Sequence, residues 1–281
     1  MKYTEHALLI CGTTFAGLGA AVAALETDRS VIIVERTALV GREFIDAFNQ
    51  GRTWGTPETS FGRKFWEDVL ARNLLEVEGP VHLPALHPVL CLFIKEYGLN
   101  VHFLTEIVEV AEHNGQYLVS LHNASGIHHV IVDEILDTST QRLTQPGRLF
   151  VPTHKRLNAY LHHPAIREAV IPAPMDDSMS IAKGRFHSEI ILRVCVPPKY
   201  DWQQAKQWLH SYWEARPEEW ASWTIAAVAG LFESVVRRGP IWLAKQWTWL
   251  PSEGFDHPLE AIDSGYKHLM NTEVLLDEAA L

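Results

Sequence analysis

Ala7 to Cys11 is a short unbroken apolar run, the pattern of a strand buried on both faces. Gly12 to Gly17 interrupts it as a turn, and the Ala- and Leu-rich run from Gly17 to Leu25 predicts a helix that Thr27-Asp28-Arg29 ends. Val31 to Glu35 then repeats the buried-strand pattern and closes on an acid. Strand, glycine turn, helix and strand in quick succession make a βαβ unit with a right-handed crossover.

Beyond Thr37 the periodicity loosens, and Gly51, Gly55, Pro57 and Gly62 punctuate loops before a short helix near Arg63 to Leu75. Leu86 to Tyr97 predicts a helix, with Pro88 in its first turn and Gly98 closing it. Asn100 to Leu104 reads as a strand. An antiparallel meander follows over Ile107 to Glu112, Gln116 to His122 and Ile127 to Val132, turning first at Asn114-Gly115. Glu134 to Thr138 reads as one more buried strand. After about residue 140 the pattern changes. A strand is expected over Arg185 to Val196, an amphipathic helix over Asp201 to Ala215, and a second helix from Pro217 to about Arg238, broken by Gly239-Pro240. Ile241 to Leu250 is strand-like, Pro258 to Met270 is helical, and Asp277 to Leu281 is expected to fray.

Composition narrows the function classes. Apolar residues make up 47% of the 281-residue chain and charged residues 21%, so it can bury a core and is not a disordered polymer. The net charge of −10 gives no basic footprint for nucleic acid. Cys11, Cys91 and Cys195 lie far apart, which argues against a disulfide scaffold and a cysteine zinc site and fits a reducing cytoplasm. The longest apolar stretch, Phe15 to Leu25, falls well short of the roughly 20 residues a bilayer span needs. The N-terminus also lacks the basic start of a signal peptide. Eight of the ten tryptophans lie between Trp202 and Trp249; they can pack a second core, line a pocket or build a subunit interface.

The chemistry concentrates in the first βα turn. A helix N-terminus there offers unpaired N–H groups and partial positive charge to a pyrophosphate. Gly12 permits the tight turn and Gly17 close packing of helix on strand, while Glu35 ends the second strand where a carboxylate accepts from ribose hydroxyls. That carboxylate would repel a 2′-phosphate. The middle position of the glycine fingerprint is Thr14, which either pushes phosphates outward or donates its hydroxyl to them.

The run Ala7-Leu8-Leu9-Ile10-Cys11-Gly12-x-Thr14-x-x-Gly17-Leu18-x-Ala20-Ala21, with Val34-Glu35-Arg36 and Gly41-Arg42, resembles FAD-dependent oxidoreductases of the glutathione-reductase-like, two-dinucleotide-fold superfamily. The order helix, strand, meander, returning strand over Leu86 to Thr138 matches as well. So does Leu250 to Gly265, similar to the segment that sets a helix N-terminus against the flavin, though its usual Gly-Asp pair is missing. The resemblance implies an α/β fold: a Rossmann-like FAD-binding domain with a β-meander, plus a smaller α+β substrate or cap domain. It would divide the chain into residues 1–45, 86–140 and 250–281 for FAD, 46–85 as a connecting segment, and 141–249 for the second domain. It further implies that Gly12, Thr13, Thr14, Phe15, Ala16 and Gly17 surround the diphosphate, that Arg36 and Arg42 meet the diphosphate or the flavin, and that Ile107 or Val108 passes the adenine. Thr138 would stand where the family closes its strand with Ala-Thr-Gly, and Ser252 and Gly254 would face the flavin.

Hydride transfer from a small amine or alcohol to flavin N5 calls for a proton acceptor. His257, in the flavin-facing turn, is the first candidate base and His187 the second. His128-His129 and His162-His163 are strand neighbours that point to opposite faces, so no metal site is expected. Two other classes stay open: a non-catalytic FAD- or nucleotide-binding subunit of a larger complex, motivated by Thr14 and the two missing family motifs, and an NAD-dependent dehydrogenase. The partners expected are a small-molecule substrate and either a second copy or a hetero-complex, with neither nucleic acid nor membrane.

Overall fold

Strand β1 (Thr4–Cys11) buries its last four residues and lies between parallel neighbours in the computed structural model, which describes residues 3–77, 79–165 and 170–279. Helix α1 (Phe15–Glu26) and strand β2 (Val31–Val34) complete the predicted βαβ unit. Every residue of α1 from Phe15 to Ala24 is buried, which suits its small side chains to packing on two sides. The chain continues through α2 (Arg42–Ile45), α3 (Ser60–Ala71), α4 (Leu86–Glu96) and β3 (Val101–His102). Thr59 caps α3 by accepting from the Gly62 amide, so that helix starts three residues earlier than the periodicity suggests.

The meander is β4 (Glu106–His113), β5 (Gln116–Asn123) and β6 (Gly126–Asp137). Two strands expected over 127–138 are one. The first part of β6 pairs antiparallel with β5, while Val130 to Asp137 runs parallel to β1. Asp133 does not break the strand, because its carboxylate points out and accepts from Gln116 Nε2 at 2.8 Å.

A second, antiparallel sheet holds β7 (Lys155–His162), β8 (Met179–Lys183) and β9 (Glu189–Val196). Helix α5 (Trp202–Glu214) covers it, started by an Asp201–Gln204 capping box. The helix expected over Pro217 to Arg238 is absent. After one 3-10 turn the chain forms β10 (Thr224–Val228) and β11 (Glu233–Ser234), both paired with β7. β-Branched Thr224, Ile225 and Val228 favour that pairing, and the open edge of β7 supplies it. Trp213, Trp220 and Trp223 pack this core with Leu157, Leu192 and Leu209.

Ile241 to Leu250 is a hairpin, β12 (Ile241–Ala244) and β13 (Trp247–Trp249), rather than one strand, with Gln246 left-handed at φ 54° in its turn. The hairpin joins the first sheet, whose order is β12-β13-β6-β1-β2-β3 with β5 and β4 hung from β6. Residues 241–249 thus lie with the dinucleotide-type unit, earlier in the chain than 250. Two rims of this sheet are short, β3 with two residues and β12 with four and a register shift, whereas β4, paired only with β5, leaves an eight-residue free edge. Helix α6 (Pro258–Ala279) runs through the expected frayed tail as far as 279; residues 280 and 281 lie outside the described residues.

Helices α1 and α6 cross at two glycines. A Cβ on Gly19 would stand 2.1 Å from the Ile262 carbonyl oxygen, and one on Gly265 would stand 1.9 Å from that of Ala16. No helix among the described residues is long and apolar enough to cross a membrane.

Candidate active site

The carboxyl ends of β1, β2 and β6 open a crevice: the chain leaves β1 toward β2 on one side and returns from β6 to β13 on the other, the switch point at which α/β sheets bind ligands. Gly12 makes the turn at φ 100°, a conformation closed to most side chains. Thr14 is the N-cap of α1: its Oγ1 accepts from the Gly17 amide at 2.9 Å and donates to Thr138 Oγ1 at 2.7 Å. Thr138 in turn donates to the Cys11 carbonyl at 2.8 Å. The threonine in the middle fingerprint position therefore uses its hydroxyl inside the turn and spares none for a phosphate.

The other first-turn amides are also taken. Phe15 N–H donates to Glu43 Oε1 at 2.8 Å and Ala16 N–H to Ser252 Oγ at 3.1 Å. Ser252 Oγ–H donates to the same Glu43 oxygen at 2.7 Å. Glu35 folds back over the turn. Its Oε2 accepts from the Thr13 amide and hydroxyl, both at 3.0 Å, and its Oε1 from those of Thr37 at 2.7 and 2.8 Å.

A cavity of about 370 Å³ leads from this turn toward the second sheet. Thr13, Glu35, Arg36 and Glu43 line it, together with Glu253 and, from the second-sheet region, Lys155 and Phe232. A smaller cavity of about 140 Å³ adjoins it, sharing Val34, Arg36 and Leu143 and walled by Ile107 and Leu149. Arg36 lines both, and its guanidinium has no ion-pair or hydrogen-bond partner among the described residues. Arg42 is held by Asp46 at 2.6 Å.

Burial raises the Glu43 carboxyl to about 7, although the Ser252 hydroxyl and the Phe15 amide both favour its charged form. Burial likewise lifts Glu253 well above the usual carboxylate range, despite bonds from the Ser234 amide and Thr140 hydroxyl. Asp137, also raised by burial, accepts from the amides and hydroxyls of Ser139 and Thr144 and so fixes the loop that walls the cavity.

Glu43 yields a stability prediction. Its folded-state value near 7 lies above the ordinary 4.5, so the unfolded chain ionises first and stability falls as pH rises through that interval. Glu43→Gln keeps the acceptor for Phe15 and Ser252 but cannot ionise. At pH 8 it is expected to be more stable than the parent by on the order of 3 kcal/mol, and the gap should close toward pH 4.5. Urea unfolding at the two pH values measures this, and an equal difference at both would refute it.

Gly12, Thr13, Thr14, Glu35, Arg36 and Arg42 all line the larger cavity. Phe15 turns its ring into the core against Phe44 and Phe65, leaving only backbone at the turn, as do Ala16 and Gly17. Thr138 and Ser252 brace the turn from behind. Ile107 reaches the smaller cavity, whereas Val108 is 48% exposed on the other strand face. Gly254 packs against the Arg237 backbone outside the cavity. The structure does not bring either histidine to the cavity. His257 Nδ1 accepts from the Glu260 amide at 3.1 Å, its ring lies over Trp54, and burial lowers its pKa. His187 is exposed in the turn between β8 and β9, not on a strand. Sequence reasoning missed Glu43 and Glu253, for an acid in a short helix or turn reads as solvated.

The comparison with protein-family models gives no match, and neither does the comparison with curated proteins. Solved structures do match in fold. They include p-nitrophenol 4-monooxygenase PnpA from Pseudomonas putida DLL-E4, with 8% identity and a TM-score of 0.65 over 96% of this chain and 80% of that one. A geranylgeranyl bacteriochlorophyll reductase-like protein from Thermoplasma acidophilum gives 11% identity and 0.67 over 99% and 80%. The flavin-dependent monooxygenase PieE, in complex with FAD and substrate, gives 15% and 0.59 over 98% of this chain and 58% of that one. The fold is thus of the Rossmann-like type that FAD-dependent monooxygenases use, with a smaller second sheet.

Proposed function

We propose that this chain is an FAD-dependent oxidoreductase acting on a small organic substrate. The observation that carries the reading is the joined pair of cavities at the carboxyl ends of β1 and β2. The smaller, walled by Ile107, Leu143 and Leu149, suits an adenine. Glu35 stands at the ribose position, and the unpaired Arg36 offsets diphosphate charge. The larger cavity continues under the second sheet, toward Phe232 and Lys155, where a flavin ring and substrate would lie. Bound FAD would supply a two-electron acceptor. The chain's own groups would orient the substrate, exclude water and hold a proton at Glu253 or Glu43, which face the cavity where His257 and His187 do not.

Within this reading the glutathione-reductase-like kinship, oxidation of an amine or alcohol by hydride transfer, the domain limits drawn from the sequence, a cytoplasmic location and assembly with a partner are all part of the proposal. The alternative, a non-catalytic nucleotide-binding subunit, is favoured by one observation: the first-turn amides are already capped by Glu43 and Ser252. Titration with FAD, followed by flavin fluorescence, separates the readings. Saturable FAD binding together with flavin reduction by an amine or alcohol supports the enzyme; binding without reduction by any such donor supports the subunit; NAD binding in place of FAD supports a dehydrogenase. Arg36→Ala is expected to weaken FAD binding about tenfold, roughly 1.4 kcal/mol. An unchanged Kd would remove Arg36 from the site.

A further inference from the structure

The mouth of α1 carries a carboxyl group of its own. Glu43 is 7% exposed, lines the larger cavity, and takes both the Phe15 amide and the Ser252 hydroxyl on Oε1. Among the described residues no other side chain donates to Oε2, which is left to carry a proton or a charge. Around it stand Glu35 at the end of β2, Glu253 in the 3-10 turn at Ser252–Gly254, Arg42 on its own helix with Asp46 just past it, and Arg36 and Lys155 elsewhere on the cavity lining. Arg42 is engaged by Asp46, and Lys155 is engaged by the Tyr200 carbonyl. The nearest carboxylates, Glu35 and Glu253, repel a second negative charge. An ionised Glu43 would therefore oppose a diphosphate brought to the same turn, whereas a neutral one would offer it an O–H donor.

We propose that Glu43 is the residue that sets the affinity of this site for an anionic dinucleotide: the diphosphate binds with Glu43 protonated, and binding takes up one proton. The inference rests on the FAD reading above and adds its regulation. A proton that the free protein has lost must return before the ligand settles, so affinity falls as pH climbs past neutrality, by roughly tenfold per pH unit at the limit. Burial, which lifts the carboxyl to about 7, puts that transition in reach of ordinary buffers.

The test is calorimetric titration of the full chain with FAD between pH 6 and 8.5. At pH 8, two buffers of different ionisation enthalpy should report uptake approaching one proton, and Kd should rise about tenfold from pH 7.5 to 8.5. Glu43→Gln should bind more tightly than the parent at pH 8, with a Kd flat in pH and no proton uptake; Glu253→Gln should keep the parent slope. FAD binding by the parent with no pH slope and no proton uptake overturns the role of Glu43 and leaves the FAD reading standing. So does a slope that survives in Glu43→Gln and vanishes in Glu253→Gln. Failure of both parent and Glu43→Gln to bind FAD at pH 6 removes the FAD reading itself, and this inference with it. The proton-uptake measurement on the parent needs no variant, so it decides even if a variant misfolds.

Discussion

Gly265→Ala is expected to lower the melting temperature by roughly 10 °C, the equivalent of about 4 kcal/mol for a domain of this size. The added methyl would stand 1.9 Å from the Ala16 carbonyl oxygen and 2.7 Å from its carbon, and both are backbone. No rotamer relieves such a contact, so α6 must slide away from α1. Gly19 faces the Ile262 backbone in the same crossing, and a shift at one glycine opens the other. The damage reaches the site, because Ala16 is the residue whose amide meets Ser252. Gly55→Ala is the control: a methyl there meets nothing within 4 Å, and it should melt within a degree or two of the parent. A Gly265→Ala protein as stable as that control would show that the two helices are not seated backbone to backbone.

The second large effect lies in the other sheet. Glu233 is buried on β11 and collects Arg156 at 2.7 Å, Arg193 at 3.0 Å through Nε, and Asn158 at 2.8 Å. Asn158 is itself fully buried and also donates to the Ala47 carbonyl at 2.8 Å, tying β7 to the segment after α2. Burial alone would raise the Glu233 carboxyl, but Arg193, Asn158 and Arg156 together hold it below the usual range. Glu233→Ala leaves two guanidinium groups and an amide without their acceptor, at an expected cost of about 3–4 kcal/mol. The sign with pH is opposite to that of Glu43. Because the folded carboxyl lies below the ordinary 4.5, its contribution is present above that value and disappears as pH falls through the folded-state value. Urea unfolding of parent and variant at pH 7 should therefore show the full gap, and a series toward pH 3 should show it shrinking. A gap that holds constant down the series would mean the alanine protein loses packing rather than a charged acceptor.

Where the determinants are local, the fold is legible in the sequence. The apolar runs at Ala7 to Cys11 and Val31 to Val34, the Asn114-Gly115 turn and the Pro88-to-Gly98 frame of α4 each carry their signal within a few residues. Where pairing with a distant strand decides, the sequence misleads. Thr224 to Val228 sits in a stretch that reads as helix until the edge of β7 claims it. Val130 to Asp137 reads as two strands until β1 aligns it as one. The site divides the same way. Gly12, Thr14 and Glu35 follow from spacing along one βαβ unit, and all three line the cavity. Glu43 meets Ser252 across 209 residues, a juxtaposition that no periodicity encodes. His257 attracts attention as a tunable base in a turn, yet its ring nitrogen is used to start α6.

The short rims of the first sheet bear on how copies of this chain could associate. A two-residue strand at one end and a four-residue, irregular one at the other leave too little free ladder there to template a neighbouring chain, so the eight-residue outer edge of β4, which pairs only with β5, is the stretch of this sheet with ladder to offer. A ribbon continued across subunits would therefore have to run through the meander at β4, and a dimer formed at either short end would have to be cemented by side chains.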